Sequence, residues 1–148
     1  MARPEFLLNR FWSGSIRDCG IILSRKLYLH GGGFLEALVI ARKVVEAASD
    51  KQASDIVLLD TRQVCSFADY FVVCSGDSER QIQTIYDEVG HKLKNEGVLP
   101  HHHEGTLDSG WLLIDFGSVI VHIFAPSERE YYQLDNLWGQ ATPLVRIQ

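Results

Sequence analysis

The clearest hydrophobic pattern in the chain lies between residues 111 and 125. Two apolar runs, rich in β-branched and aromatic side chains, flank a Gly-Ser pair at 117–118. Glycine adopts the positive φ of a tight turn without steric cost, so the pattern predicts a β-hairpin. A two-residue turn would place Leu113 opposite His122, with the neighbouring residues in matching pairs.

Because side chains alternate between the two sides of a strand, the hairpin has two unlike faces. One face is wholly apolar and is predicted to be an ordinary core layer: Leu112, Ile114, Phe116, Val119, Val121 and Ile123. The other, called the mixed face below, combines large apolar groups with an acid and an imidazole: Trp111, Leu113, Asp115, Ile120, His122 and Phe124. Such a face is either covered by neighbours with polar tips or binds a partner.

The chain before the hairpin alternates between helical and strand patterns. Apolar spacing over residues 34–48 predicts a helix. The apolar run at 55–61 predicts a strand that is buried on both faces and therefore lies near the middle of a sheet. A second strand is predicted at 69–75. Ser78 and Gln81 then form a capping-box pattern, which predicts the start of a second helix.

Weaker patterns flank the hairpin. Residues 101–106 are compatible with a short edge strand. After the hairpin, Ser127 with Glu130 repeats the capping-box pattern. It predicts a last helix that ends at Gly139 and is followed by an irregular tail. This order of elements predicts an α/β fold, a single domain with a mixed β-sheet packed by helices.

Length and composition agree with one domain. The chain has 148 residues, of which 46% are hydrophobic and 22% charged, as in an ordinary soluble globular protein. We divide it into an extension at 1–33, the α/β domain at 34–139 and a C-terminal tail at 140–148. Three interpretations of the extension stay open. We favour a flexible or partner-ordered segment. An upstream start codon chosen in error is nearly as plausible, and an organellar targeting peptide is the least favoured.

The charge is unevenly distributed. Residues 1–33 carry five of the 14 Lys and Arg but two of the 19 Asp and Glu, so the rest of the chain has nine basic against 17 acidic residues. The net charge of -5 argues against broad binding to nucleic-acid phosphates, whereas an acidic domain attracts a basic partner. The three cysteines show no paired spacing, which suggests free thiols in a reducing compartment. No apolar run approaches the ~20 residues that span a bilayer, and no secretory signal is evident, so we expect a cytoplasmic location.

Two polar stretches invite a ligand-binding interpretation. On a strand, only alternate residues of His101–Glu104 share a side, so we favour an exposed polar strand over a metal site. The Ser75–Ser78 turn could hold a phosphate at a helix N-terminus. Metal-dependent nucleotide transfer would also need a second carboxylate near Asp115, which the chain lacks. Helix capping accounts for the turn, and we predict neither a metal nor a cofactor.

The mixed face offers a further candidate. Asp115 and His122 could act as acid and base, but they are not directly opposite each other, and no Ser or Cys nucleophile lies beside them. Trp111 begins a strand on this face, and aromatic anchors often carry much of the binding energy of an interface. We therefore favour a partner-binding face that includes Trp111. Tyr131 and Trp138 are predicted to lie in the core.

Six motifs occur in a fixed order between residues 34 and 139. They are Ala68-Asp-Tyr-Phe-Val-Val-Cys-Ser-Gly76, Ser78-Glu-Arg-Gln81, Glu104-Gly105, Trp111-Leu-Leu-Ile-Asp-Phe-Gly117, Val121-His-Ile-Phe124 and Arg129-Glu-Tyr-Tyr-Gln-Leu-Asp-Asn-Leu-Trp138. Together they resemble the ribosomal silencing factor, or Iojap, family. The resemblance implies a fold related to nucleotidyltransferases without their metal-binding acids, and no enzymatic activity.

The resemblance also implies a partner. Members of the family bind the large ribosomal subunit through a ribosomal protein on the intersubunit face, which blocks the small subunit and represses translation. Organellar relatives act in large-subunit assembly, which stays an alternative here. The docking Trp and Asp of the family match Trp111 and Asp115, and we add Leu113 and His122 because they lie on the same face. Direct rRNA contact is expected to be secondary at most, and a homodimer through a sheet edge or helix face stays open.

Overall fold

Six strands form one sheet in the computed structural model, which describes residues 36–148. Helix α1 (Ala37–Asp50) precedes strands β1 (Ser54–Asp60) and β2 (Tyr70–Ser75). Helix α2 (Glu79–Asn95) is followed by β3 (His102–Glu104), a 3-10 turn at Leu107–Ser109 and the hairpin strands β4 (Trp111–Asp115) and β5 (Val119–Phe124). The chain ends with helices α3 (Pro126–Tyr132) and α4 (Leu134–Leu137) and strand β6 (Thr142–Ile147).

The strands lie in the order β3-β4-β5-β2-β1-β6. Strands β2 and β5 pair in parallel, and the other neighbouring pairs are antiparallel. The hairpin has the predicted register, with Leu113 opposite His122. Strand β1 is buried on both faces along its central residues, as predicted, but it lies next to the edge strand β6 rather than near the middle of the sheet. The predicted single α/β domain with a mixed sheet packed by helices is therefore confirmed.

The two sides of the sheet are covered by different parts of the chain. On one side, α1 and α2 pack against the apolar face of the hairpin and form the main core. The six residues predicted for that layer are all part of it. On the other side, the loop at 62–68 and the segment at 126–141 cover the mixed face. We call residues 126–141 the C-terminal strap.

The start of α2 follows from its sequence. Ser78 Oγ accepts a hydrogen bond from the Gln81 N–H at 3.1 Å, which confirms the predicted cap. The Gln81 side chain donates to the carbonyl oxygens of Lys51 and Gln52 at 3.2 Å and 2.9 Å. One residue therefore both caps α2 and fastens it to the end of α1.

Three predictions about the C-terminal part are wrong. Instead of one helix there are two, because Gln133 adopts a left-handed conformation (φ 45°) between α3 and α4. Ser127 does not cap α3, because the helix already begins at Pro126 and the Ser127 hydroxyl donates to Glu128 Oε2. The chain after Gly139 is not irregular, since it forms β6 along the open edge of β1. The predicted extension at 1–33 lies outside the described residues.

Within residues 36–148, no helix is long and apolar enough to cross a membrane.

Candidate partner-binding face

The mixed face brings the four predicted site residues together. Trp111, Leu113 and Asp115 occupy alternate positions of β4, and His122 lies opposite Leu113 on β5. All four therefore lie on the same side of the sheet. Their exposed fractions are 7%, 8%, 7% and 0% in that order, so the C-terminal strap and its neighbours leave only the edge of the face accessible. The sequence indicated which side chains share the face but not how far it is covered.

A hydrogen bond links the side chains of Trp111 and His122. The indole N–H donates to His122 Nδ1 at 3.2 Å. Because Nδ1 accepts, neutral His122 carries its proton on Nε2. Burial, reinforced by the positive charge of Arg129, lowers the pKa of His122 to about 3. The imidazole is therefore neutral at physiological pH, and it orients the indole from beneath the surface.

Aromatic rings continue from this pair toward solvent. The Trp111 ring lies 4.9 Å from Phe124 and 4.8 Å from Tyr132 of α3, centroid to centroid. Tyr132 in turn meets Tyr131 edge-on at 5.1 Å. We call Trp111, Tyr132 and Tyr131 the aromatic ladder. Tyr131 is 59% exposed, so the prediction that it lies in the core is wrong.

A second group of rings covers the centre of the mixed face. Phe71 of β2 stands edge-on to His122 at 5.3 Å and to Trp138 at 5.2 Å. Phe67, from the loop before β2, packs against Trp138 at 6.2 Å. Trp138 therefore lies against the core, as predicted. These rings exclude water from His122, which is the physical cause of its low pKa.

Asp115 closes the hairpin turn. Its Oδ1 accepts a hydrogen bond from the Gly117 N–H at 2.7 Å, and Gly117 has the positive φ of 89° that the turn requires. Neither nitrogen of His122 is bonded to this carboxylate. Nδ1 accepts from Trp111, and Nε2 has no hydrogen-bond partner within residues 36–148. The geometry thus favours separate structural roles over an acid–base pair.

Strand β3 extends the mixed face with polar groups. His102 lies opposite Asp115 and Glu104 opposite Leu113, so both side chains share that side of the sheet. All residues of β3 are exposed, and the predicted edge strand is confirmed. Sequence reasoning missed these two residues because the register of so short a strand depends on its partner. In the described part of the chain, no three His, Cys, Asp or Glu side chains are grouped to hold a metal.

The turn that could have held a phosphate uses its N–H groups internally. The Gly76 N–H donates to the carbonyl of Phe124 at 2.9 Å, and the Asp77 N–H donates to Gln81 Oε1 at 2.8 Å. Ser78 caps α2 through its side chain. Capping and sheet closure therefore account for the N–H groups of Gly76 and Asp77.

Arg129 joins the strap to the same turn. Its Nη1 donates to Ser75 Oγ at 3.0 Å, and its Nη2 donates to the carbonyl of Asp55 at 2.9 Å. Its Nε and Nη2 also pair with Asp135 Oδ2 at 3.1 Å and 3.0 Å. Four hydrogen bonds of the guanidinium thus hold the strap against β1 and β2.

Comparison with known proteins identifies the family. The model of the family described as "Ribosomal silencing factor during starvation" matches residues 35–148. This chain belongs to the ribosomal silencing factor family. The ribosomal silencing factor of Bacillus subtilis is 39% identical over 108 residues, which cover 73% of this chain and 91% of that relative.

A solved structure and a more distant relative extend the comparison. The crystal structure of a protein from Chromobacterium violaceum matches this chain with a TM-score of 0.68 and 37% identity, over 71% of this chain and 88% of that one. A mouse protein named mitochondrial assembly of ribosomal large subunit protein 1 is 30% identical over 98 residues, which cover 64% of this chain and 43% of the mouse protein. The family resemblance of the six sequence motifs is therefore confirmed.

Proposed function

We propose that this member of the ribosomal silencing factor family represses translation without catalysing a reaction. It binds the large ribosomal subunit through a ribosomal protein on the intersubunit face and so prevents the small subunit from joining. Membership of the family supports this proposal, together with a mixed face whose indole is oriented by a buried imidazole. Occlusion requires only that the factor and the small subunit cannot occupy the same surface at once.

Recognition combines long-range electrostatic attraction with a small contact surface centred on Trp111. The excess of acidic residues steers the domain toward a basic protein surface and away from rRNA phosphates. At the contact, Trp111, Leu113 and Asp115 present the 7–8% of each residue's surface that stays accessible. His122 is fully buried, so its part in binding is to hold Trp111 in place.

The deciding experiment is subunit association in sucrose gradients. Purified small and large subunits are mixed with increasing amounts of the protein. We expect the protein to sediment with the large subunit and the fraction of joined ribosomes to fall as it saturates. Normal joining at saturating bound protein would refute occlusion, and no sedimentation with the large subunit would refute the partner.

A pair of charge reversals tests the docking face itself. Glu104 is exposed and shares the mixed-face side of the sheet with Leu113. Glu104→Lys should weaken binding to the large subunit about tenfold, because attraction at the contact becomes repulsion. Asp87→Lys makes the same change of charge on α2, across the sheet, and should cost less than about twofold. Equal losses in the two variants would contradict a localised face.

A second candidate function is large-subunit assembly, which is favoured by the name of the mouse relative. It would use the same face at a different time. Affinity purification from growing cells separates the two, because an assembly factor is recovered on immature large subunits. Recovery on mature subunits, with normal rRNA processing after deletion, supports silencing.

Nucleotide chemistry is the third possibility, and the internal hydrogen bonds of the Gly76 and Asp77 N–H groups argue against it. Calorimetric titration with nucleoside triphosphates and magnesium should give no metal-dependent heat of binding. Tight, magnesium-dependent binding would overturn the non-enzymatic proposal.

A further inference from the structure

We propose that Gly105 and Ser109 are positioning residues for partner binding, because their loop holds the backbone of Trp111 in place. This loop, residues 105–110, joins β3 to β4, and we call it the β3–β4 loop. The inference rests on the proposed function for the existence of a partner. It adds the residues, outside the mixed face, that keep the indole ready for binding.

The Ser109 hydroxyl contacts the backbone of two residues at once. Its oxygen accepts hydrogen bonds from the N–H groups of Thr106 at 3.2 Å and Trp111 at 3.4 Å. Its proton can donate to the carbonyl oxygen of Thr106 at 2.7 Å or to that of Trp111 at 3.1 Å. A hydroxyl has one proton and two lone pairs, so these contacts use its whole capacity. Ser109 therefore ties the first residue of β4 to the start of the loop.

Gly105 packs against the carbonyl group of Trp111. Its φ is 91°, in the left-handed region that favours glycine. An added Cβ would overlap the Trp111 carbonyl oxygen and come within 3.1 Å of the carbonyl carbon. A side chain at position 105 would thus push the start of β4 away from the loop. Glu104-Gly105 is one of the six sequence motifs, and this close approach gives its glycine a physical role.

The far end of the β3–β4 loop is also fixed. The Gly110 N–H donates to the carbonyl of Leu107 at 3.0 Å, and the Gly110 carbonyl accepts from the N–H of Ala125 at 2.8 Å. Within the loop, the Ser109 N–H donates to Thr106 Oγ1 at 3.3 Å. The loop is therefore closed on itself and joined to the chain just after β5.

These contacts favour a role in binding over a role in the core. Gly105, Thr106 and Ser109 are all exposed. Exposed hydrogen bonds add little net stability, because water competes for the same groups. A rigid loop, by contrast, lowers the entropy that is lost when a partner binds. The loop fixes the backbone of Trp111 while His122 fixes its indole, so an aromatic anchor is held ready before the partner arrives.

Co-sedimentation with large subunits measures the effect on binding. Ser109→Ala should weaken binding about fivefold, whereas Ser109→Thr keeps the hydroxyl and should bind within about twofold of the unaltered protein. Gly105→Ala should lose about tenfold. Two matched controls change exposed or open positions on helices across the sheet. Ser49→Ala on α1 and Gly90→Ala on α2 should both bind within about twofold.

NMR separates positioning from a general loss of stability. In Ser109→Ala and Gly105→Ala the indole N–H signal of Trp111 should shift or broaden, while that of Trp138 on the strap stays in place. A variant that is only less stable keeps both signals at their native positions below its melting temperature. An unchanged Trp111 signal in Ser109→Ala would refute the positioning role.

The two proposals can fail separately. If the unaltered protein does not sediment with large subunits, the proposed function is wrong, and the role of the loop in binding is wrong with it. If the unaltered protein binds and Ser109→Ala binds equally well, only the positioning role is overturned. A loss in Ser109→Ala that Ser109→Thr shares would also overturn it, because the hydroxyl would not be the cause. The serine variants decide the matter even if Gly105→Ala does not fold.

Discussion

The indole N–H of Trp111 donates to Nδ1 of His122 across the hairpin, although the two residues are not a directly opposed pair. Trp111 lies opposite Phe124, and His122 lies opposite Leu113. The bond therefore runs diagonally and fixes the indole at the accessible edge of the mixed face. Two residues that the sequence placed on one face thus have different roles, one at the surface and one beneath it.

Replacing His122 by Leu should lower the free energy of unfolding by about 2 kcal/mol, because the buried indole N–H loses its acceptor. Trp111→Phe removes the donor and some packing. The double variant should be more stable than the sum of the two losses predicts, by about 1 kcal/mol. Urea denaturation of the four proteins measures this coupling. Strictly additive losses would show that the hydrogen bond contributes nothing.

The pH dependence of stability should carry the signature of His122. Its pKa is about 3 in the folded chain, whereas an unfolded histidine has a pKa of about 6.5. Above pH 6.5 neither state binds the proton, and the full stability is present. As the pH falls from there toward 3, only the unfolded state binds it, so stability falls by up to about 1.4 kcal/mol per pH unit.

A His122→Gln variant isolates this contribution from the other titrating groups. Its free energy of unfolding should depend less on pH between 6.5 and 4.5 than that of the unaltered protein, as urea titrations at several pH values would show. Parallel pH profiles for the two proteins would contradict a buried neutral imidazole.

Two glycine replacements should have opposite effects. Gly110 has a φ of 68°, and a Cβ there would come within 2.5 Å of Glu128 Cδ. Gly110→Ala should therefore cost about 2 kcal/mol of stability. Gly90 lies inside α2, where an added Cβ would meet nothing within 4 Å, so Gly90→Ala should stabilise by up to about 1 kcal/mol. Calorimetry should show a lower melting temperature for Gly110→Ala and a higher one for Gly90→Ala. An unchanged melting temperature in Gly110→Ala would refute the close packing of α3 on the start of β4.

The sequence predicted the hairpin well because alternation leaves little freedom. If the strand pairing had slipped by one residue, the apolar core layer would have faced the strap. The pattern therefore allowed only one register near the Gly117 turn. The Ser78 cap was predictable for a similar reason, since its hydrogen bonds are local. Features that depend on residues close together in the sequence could therefore be predicted without the structure.

The cover of the mixed face was not predictable in the same way. It depends on Gln133, whose left-handed conformation redirects the chain between α3 and α4. Glycine or asparagine would have signalled such a turn, but glutamine gives no such signal. The continuous helix that the sequence suggested placed Tyr131 in the core, whereas the observed break leaves it exposed and turns Tyr132 toward Trp111.

Strand β6 was not predicted from the sequence because most of its residues are exposed and one of them is a proline. Pro143 cannot donate a hydrogen bond, and proline is found in sheets chiefly on edge strands. Here it pairs with Leu59 on the outermost strand of the sheet. Five of the six residues of β6 are exposed, so the segment has no apolar alternation to reveal it.

Truncation after Gly139 tests whether β6 belongs to the folded unit. It would leave one edge of β1 without hydrogen bonds, next to residues 56–59, which are at most 4% exposed. It would also remove Ala141, the last residue of the strap, which is buried in the cluster between the strap and the sheet. We expect a loss of about 3 kcal/mol or more, seen as a melting temperature lower by at least about 12 °C in circular dichroism. An unchanged melting temperature after C-terminal truncation would instead support a domain complete at residue 139.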